Sequence, residues 1–199
     1  MPSQSTIVRI VGESGEGIVS TGEILSRVLQ HTGKNIITFR TYPAEIKGGQ
    51  CLFQVRYSKD KLQTAGDRID LLVCFDKNSF ADYKNPQNYD ILYNSDDTIV
   101  EQKNAVGAPL TTISRADLES LQSKNMVALG AIAFLLGLDL SDVLHVSGNW
   151  FAGKDENLVD KNFQAIKAGH TFCQSEKIHP LQTINKNKSE ESVILWGNQ

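Results

Sequence analysis

Residues 7–29 read IVRIVGESGEGIVSTGEILSRVL, and this stretch decides the fold. It opens with an apolar run and continues into a glycine-rich turn at residues 12–17. Apolar side chains then recur at steps of three and four residues as far as Leu29. The pattern predicts a strand, a turn and a helix that ends at Gly33, a residue suited to a left-handed cap. The backbone N–H groups of such a turn can approach an anion at the positive end of the helix dipole, so the turn is the first candidate functional element.

The rest of the sequence repeats this alternation of strands and helices. Apolar runs predict strands at residues 35–41, 51–57, 71–75 and 91–93, and helical patterns cover residues 115–124, 126–138 and 155–168, the last with Gly169 as its stop. The order predicts an α/β fold, a Rossmann-like, doubly wound and mostly parallel sheet with helices on both faces. The helix at 126–138 is apolar nearly all round, which fits either the central helix of the domain or an interface in an oligomer.

Domain organisation follows from a change in composition near residue 174. Residues 1–173 carry the α/β pattern, whereas residues 174–192 are rich in Lys, Asn, Glu and Ser, as in a polar linker. An apolar run resumes at Val193. We therefore expect one α/β domain at 1–173 and, at 174–199, a linker that leads into a truncated following domain.

Composition excludes several classes of partner. The chain has 199 residues, 40% of them hydrophobic, and a formal net charge of −3 with both signs interspersed. A surface of this kind offers no basic field for nucleic acid or anionic lipid. The amino terminus has no signal-peptide pattern, and the longest apolar run is too short for a bilayer. We expect a cytoplasmic protein that binds neither nucleic acid nor membrane.

The cysteines predict no metal site. Cys51, Cys74 and Cys173 are widely spaced and form no Cys-x-x-Cys pair, so we expect reduced thiols and no iron–sulfur or all-cysteine zinc centre from this chain alone. His170 and His179 lie near Cys173, but three scattered ligands beside a linker make a weak metal signal. We predict no metal ligands.

The glycine-rich turn does not match either standard phosphate-binding pattern. Its order is G-x-x-G-x-G rather than G-x-G-x-x-G, and the second strand ends in Arg40 and not in an acid. A P-loop would need Lys and Ser or Thr where Ile18 and Val19 stand. Glu13 and Glu16 would also repel a phosphate. Two roles remain open, close packing of strand against helix and contact with a cofactor.

A second loop, Tyr42–Gly49, reads YPAEIKGG and joins the second and third strands. Ligands bind at the carboxyl edge of such sheets, where we expect both loops to lie. Lys47 offers a charge for a phosphate or carboxylate, Gly48 and Gly49 allow a close backbone approach, and Glu45 would hold the loop by hydrogen bonds. Taken alone, the loop is also compatible with a solvated surface turn.

Together the two loops resemble the gamma domain of the 2-oxoacid:ferredoxin (acceptor) oxidoreductases. That family has a Gly-rich turn leading to a "GIV" helix and a "YPAEIRGG" loop, and the resemblance continues through Asp70–Asp76 and Lys124–Gly130, as far as about Gly169. The chain departs from the usual turn "GxGGQGI" and has Lys where Arg is common. Its final Gly-Asn-Gln is similar to the start of the pyrimidine-binding domain in fused alpha subunits, which favours the 2-oxoglutarate type.

The resemblance implies a role within a larger enzyme. Such complexes decarboxylate a 2-oxoacid on thiamine diphosphate with Mg²⁺, pass electrons through an iron–sulfur cluster to ferredoxin or a similar acceptor, and transfer the acyl group to coenzyme A. The implied partners are a following alpha-type domain and a thiamine-binding beta subunit. This chain is then expected to bind no cofactor alone, to hold no catalytic residue and to be inactive in isolation, serving assembly and coenzyme A positioning. The expected contact residues are Gly12, Gly15, Gly17, Glu45, Lys47, Gly48 and Gly49.

Two other functions remain open at this point. One is a free-standing α/β module that binds a nucleotide or an acyl-CoA. The other is an NADP-dependent reductase in which Arg40, at the end of the second strand, meets the 2′-phosphate. Titration with NADPH and with coenzyme A distinguishes them, because only the reductase would bind NADPH tightly.

Overall fold

A computed structural model describes residues 5–42, 49–81, 83, 89–118, 123–179, 181 and 194–197. The elements are β1 (Thr6–Glu13), α1 (Ile18–His31), β2 (Asn35–Thr41), β3 (Gln50–Ser58), β4 (Leu71–Cys74), α2 (Lys77–Ala81), β5 (Asp90–Asn94), β6 (Ala105–Ala108), α3 (Leu110–Leu118), α4 (Lys124–Leu135), α5 (Leu140–Trp150), α6 (Glu156–Ser175) and β7 (Ile194–Gly197). The five predicted strands are present, and the sequence patterns missed β6 and α5.

The strands form one sheet in the order β6-β5-β4-β1-β3-β2-β7, with β1 at its centre. β1, β4, β5 and β6 pair in parallel, as do β2 and β7. β3 alone runs against its neighbours, since it pairs antiparallel with both β1 and β2. The predicted α/β class with a mostly parallel sheet is confirmed.

Both faces of the central strands are buried. Val8 and Ile10 of β1 point into the larger core, which also contains the apolar residues of α1, α4, α5 and α6. Val11 points the other way, into a smaller cluster that α2 helps to cover through Phe80. Alternate residues of a strand face opposite sides of a sheet, so a strand covered on both sides needs a continuous apolar run. The runs at residues 71–75 and 91–93 have that pattern for this reason.

Helix α4 is the central helix of the domain. Its residues from Met126 to Ala133 are buried within the chain, and it packs along α6. Gly130 and Gly169 lie where the two helices cross, and a Cβ on either would overlap a backbone carbonyl of the other helix. Residues 126–138 therefore fit the central-helix alternative, and an oligomer stays a prediction. Gly169 does not stop α6, which continues to Ser175 and uses this glycine for close approach.

The helix ends agree with local residue chemistry. α1 ends at His31 and is followed by Gly33 at φ 77°, as predicted. The Asp155 side chain accepts a hydrogen bond from the N–H of Leu158 and caps α6. At the carboxyl end of β4, the Asp76 carboxylate accepts from both the N–H and the hydroxyl of Ser79, which anchors α2.

The C-terminal residues 194–197 add β7 to the sheet beside β2. α6 extends two residues past the expected boundary at 173. A domain that follows residue 199 stays a prediction. No helix in the described part of the chain combines the length and the apolar character that a bilayer crossing needs.

Candidate functional site

The two candidate loops meet at the carboxyl edge of the sheet. The N–H of Ser14 donates a hydrogen bond to the carbonyl oxygen of Gly49 at 3.0 Å. β1 and β2 point the same way because β3 is antiparallel to both, so the turn after β1 and the loop after β2 lie at one edge. The predicted shared edge is confirmed. Glu45, Lys47 and Gly48 lie outside the described residues.

The three glycines of the turn have different surroundings. A Cβ on Gly12 would lie 2.8 Å from Glu16 Oε2 and 2.9 Å from the Cβ of Phe75. Gly17 has φ 81°, and a Cβ there would overlap the Asn125 side chain. Gly15 has φ 99°, with no atom within 4 Å of a Cβ. Gly12 and Gly17 therefore allow close packing, whereas Gly15 leaves its backbone open to a ligand.

An open pocket of about 600 Å³ lies beside this turn. Its lining comes from the amino-terminal ends of three helices and from the loop after β5, and consists of Gly15, Glu16, Gly17, Asp97, Thr111, Lys124 and Asn125. The parallel strands β1, β5 and β6 lead into all of these segments except the start of α4, and they end at the same edge, which is where ligands bind in open α/β sheets. The pocket therefore adds a concave surface to the edge that carries the glycine turn.

The glutamate expected to repel phosphate is neutralised by a lysine. Glu16 Oε1 forms an ion pair with Lys124 Nζ, and its Oε2 accepts a hydrogen bond from the N–H of Glu13 at 3.0 Å. Lys124 exposes 14% of its side chain and also lies 3.4 Å from the Phe75 carbonyl oxygen. The sequence did not indicate Lys124 as a site residue. Lys124 lies 108 positions after Glu16, and only the fold brings the two side chains together.

Only one of the three helix ends at the pocket is capped by a described side chain. No described side chain caps α1 at Gly17 or α4 at Ser123. The N-terminus of α3 is different, because the Asp96 carboxylate accepts from the N–H groups of Thr111 and Thr112, each at 2.8 Å. The first-turn N–H groups of α1, which begins after Gly17, are thus the ones suited to binding an anion.

Arg40 does not lie where an NADP reductase needs it. Its Nη1 is 3.0 Å from Glu23 Oε1, and its guanidinium lies over the Tyr42 ring. In a classical dinucleotide fold the second strand is the neighbour of the first. Here β3 separates β2 from β1, which moves Arg40 one strand further from the glycine turn.

The three thiols are free and buried. Burial raises the pKa of Cys51 and Cys74, and it raises the pKa of Cys173 to about 12. Protonated thiols are poor metal ligands. Within the described ranges, no three His, Cys, Asp or Glu side chains are grouped to hold a metal ion. His170 packs edge-on against Phe134, and burial lowers its pKa.

Residues 7–172 match the family model described as pyruvate ferredoxin/flavodoxin oxidoreductase, which is most of the chain. The chain belongs to this family. The gamma-domain resemblance seen in the two loops is therefore confirmed.

Relatives within the family include separate subunits and longer chains. The chain is 26% identical over 159 residues to 2-oxoglutarate synthase subunit KorC of Archaeoglobus fulgidus, covering 79% of this chain and 84% of KorC. A structure of 2-oxoglutarate:ferredoxin oxidoreductase from Magnetococcus marinus, with 2-oxoglutarate, coenzyme A and succinyl-CoA bound, gives a TM-score of 0.83 at 27% identity. The match covers 93% of this chain and only 34% of that one.

A separate gamma subunit shares the fold. The keto/oxoacid ferredoxin oxidoreductase gamma subunit from Geobacter sulfurreducens gives a TM-score of 0.72 at 19% identity, over 87% of this chain and 98% of that subunit. The fold of this chain is thus shared by a separate subunit and by part of a longer chain.

Proposed function

We propose that this chain is the gamma-type component of a thiamine-diphosphate-dependent 2-oxoacid:ferredoxin oxidoreductase of the 2-oxoglutarate type. In the whole enzyme a 2-oxoacid is oxidatively decarboxylated and its acyl group is transferred to coenzyme A. The role of this component is to assemble with the other subunits and to form one wall of the coenzyme A site. Family membership, the similarity to KorC and the likeness to the coenzyme A-bound Magnetococcus marinus enzyme support this proposal.

The observation that carries the coenzyme A role is the joined pair of loops. The Ser14–Gly49 hydrogen bond holds the glycine turn against the end of the YPAEIKGG loop, and the open pocket lies beside the glycine turn. Gly15 leaves backbone accessible, and the N-terminus of α1 supplies N–H groups suited to phosphate. Coenzyme A carries three phosphates, so a concave edge of this chemistry fits its nucleotide end.

The other groups of the reaction do not fit the described residues of this domain. The thiols are buried and protonated, and the described carboxylates form no ligand group for Mg²⁺. We therefore assign thiamine diphosphate, Mg²⁺ and the iron–sulfur cluster to the partner chains, with ferredoxin or a similar acceptor receiving the electrons. The residues of this chain bind and orient, and take no part in bond cleavage.

The test is Lys47→Ala in the complete enzyme. Loss of one charge contact to a phosphate should raise the KM for coenzyme A about tenfold, since a hydrogen bond to a charged group contributes roughly 1.5–3 kcal/mol. Decarboxylation of the 2-oxoacid, measured as CO₂ released in the absence of coenzyme A, should be unchanged. An unchanged KM for coenzyme A would remove the role of this loop.

Lys61→Ala is the matched control. Lys61 is an exposed lysine just beyond β3, at the opposite edge of the sheet from the candidate site. Its replacement changes the charge by the same amount and should alter neither the KM for coenzyme A nor CO₂ release. A similar rise in KM for both variants would indicate a general charge effect.

A further inference from the structure

The pocket beside the glycine turn brings a cation and an anion into direct contact at its wall. Lys124 begins α4 and Glu16 lies in the turn before α1, so the pair joins the starts of two helices. Asn125 packs against Gly17 next to the pair, and its carbonyl oxygen lies 3.4 Å from the Thr21 hydroxyl. These contacts fix the two helix starts relative to each other. The pair is therefore held at the pocket by packing as well as by charge.

We propose that Lys124 is the residue that holds an anionic group in this pocket and that Glu16 is its internal competitor. A bound phosphate takes the Lys124 ammonium from Glu16, and Glu16 stays in place through its hydrogen bond to the Glu13 N–H. This deepens the proposed function, on which the identification of the phosphate as part of coenzyme A rests. It assigns a positioning role to a residue outside both candidate loops.

The charges of the pocket define the class of ligand. Lys124 contributes one positive charge to the pocket. Glu16 and the exposed Asp97 contribute one negative charge each. A singly charged carboxylate would gain from Lys124 no more than Glu16 already gains. A phosphomonoester or pyrophosphate carries about two or more negative charges and several acceptor oxygens, which can also bind the N–H groups at the start of α1. Such a phosphate, unlike a carboxylate, has enough acceptor oxygens to bind Lys124 and these N–H groups at the same time.

Opposite substitutions at the pair give opposite effects. Lys124→Met keeps the length and apolar stem of the side chain and removes its charge, so binding of inorganic pyrophosphate should weaken about tenfold. In Glu16→Gln the amide oxygen can still accept from the Glu13 N–H, while Lys124 loses its anionic partner. Pyrophosphate should then bind about threefold or more tightly. A damaged fold does not tighten binding, so this variant keeps the test decisive if Lys124→Met folds poorly.

Glu23→Gln is the control for removing a carboxylate from this region. Glu23 lies on α1 and forms a 3.0 Å ion pair with Arg40, but it does not line the pocket. The substitution changes the net charge by the same amount as Glu16→Gln and also breaks an ion pair. Its affinity for pyrophosphate should equal that of the unmodified chain.

Calorimetric titration of the 199-residue chain and its variants with pyrophosphate, and separately with coenzyme A, tests the proposal. Pyrophosphate binding that changes in opposite directions in the two pocket variants supports it. In the complete enzyme the two pocket variants should also shift the KM for coenzyme A in opposite directions. If pyrophosphate binding follows the pattern but the KM for coenzyme A does not change, the coenzyme A assignment fails and the role of Lys124 in binding phosphate stands. If neither changes, the role of Lys124 is overturned and the proposed function remains. If neither pyrophosphate nor coenzyme A binds to the chain, the role of Lys124 is also overturned.

Discussion

Gly130 of α4 and Gly169 of α6 face each other at the crossing of the two helices that fill the core. A Cβ on Gly130 would overlap the Ile166 carbonyl oxygen, and one on Gly169 would overlap the Val127 carbonyl oxygen. Backbone cannot move aside as the end of a flexible side chain can. The close crossing explains why an almost wholly apolar helix leaves so little surface for a partner.

Gly130→Ala should destabilise the domain by about 3 kcal/mol, the upper part of the range for overpacking a core. The gain in helix propensity, about 1 kcal/mol, does not offset a clash with backbone. Gly148→Ala in α5 is the control, because its Cβ would meet only the Phe163 ring, at 3.2 Å. Urea unfolding measures both variants. Equal midpoints for the two would contradict the close crossing.

The turn glycines should differ in the same kind of measurement. Gly15→Ala meets no atom within 4 Å and suffers only from its positive φ, so it should cost about 1–2 kcal/mol. Gly17→Ala has a positive φ and also displaces Asn125, so it should cost clearly more. Urea unfolding of the two variants gives the comparison. A larger loss for Gly15→Ala would show that the turn is not packed in this way.

The sequence predicted the architecture because its signals are local. The apolar run at residues 71–75 predicts a strand buried on both faces, and the three- and four-residue repeat in α1 predicts its buried side. Gly169 was misread for a physical reason. A glycine at the end of a helical repeat and a glycine at a helix crossing look alike in sequence, and only the position of α4 distinguishes them.

The candidate site was only partly predictable. Adjacent loops at the carboxyl edge follow from strand order, and the Ser14–Gly49 hydrogen bond confirms their contact. The charge balance does not follow, because the partner of Glu16 is 108 residues away. Judged from sequence, Glu16 repels phosphate. In the folded chain Glu16 is paired with Lys124, and a phosphate must displace Glu16 in order to bind Lys124.

NADPH should not be recognised through Arg40. The guanidinium is paired with Glu23, and β3 separates its strand from the strand that carries the glycine turn. Calorimetric titration of NADPH into the chain and into Arg40→Met should give the same result for both. Any NADPH binding that Arg40→Met abolishes would restore the reductase interpretation.

The buried thiols should make the domain lose stability at alkaline pH. Burial raises the pKa of Cys173 from its ordinary 9.0 to about 12, so the thiol stays protonated in the folded state after it has ionised in the unfolded state. This contribution to the free energy of unfolding is complete below pH 9.0 and is lost as the pH rises toward about 12. The urea midpoint should therefore fall less between pH 8 and pH 10 in Cys173→Ala than in the unmodified chain.

In parallel, an alkylating reagent at pH 8 should label Cys173 only after urea is added. Rapid labelling of the folded chain, or an equal alkaline fall in both proteins, would contradict the burial of this thiol.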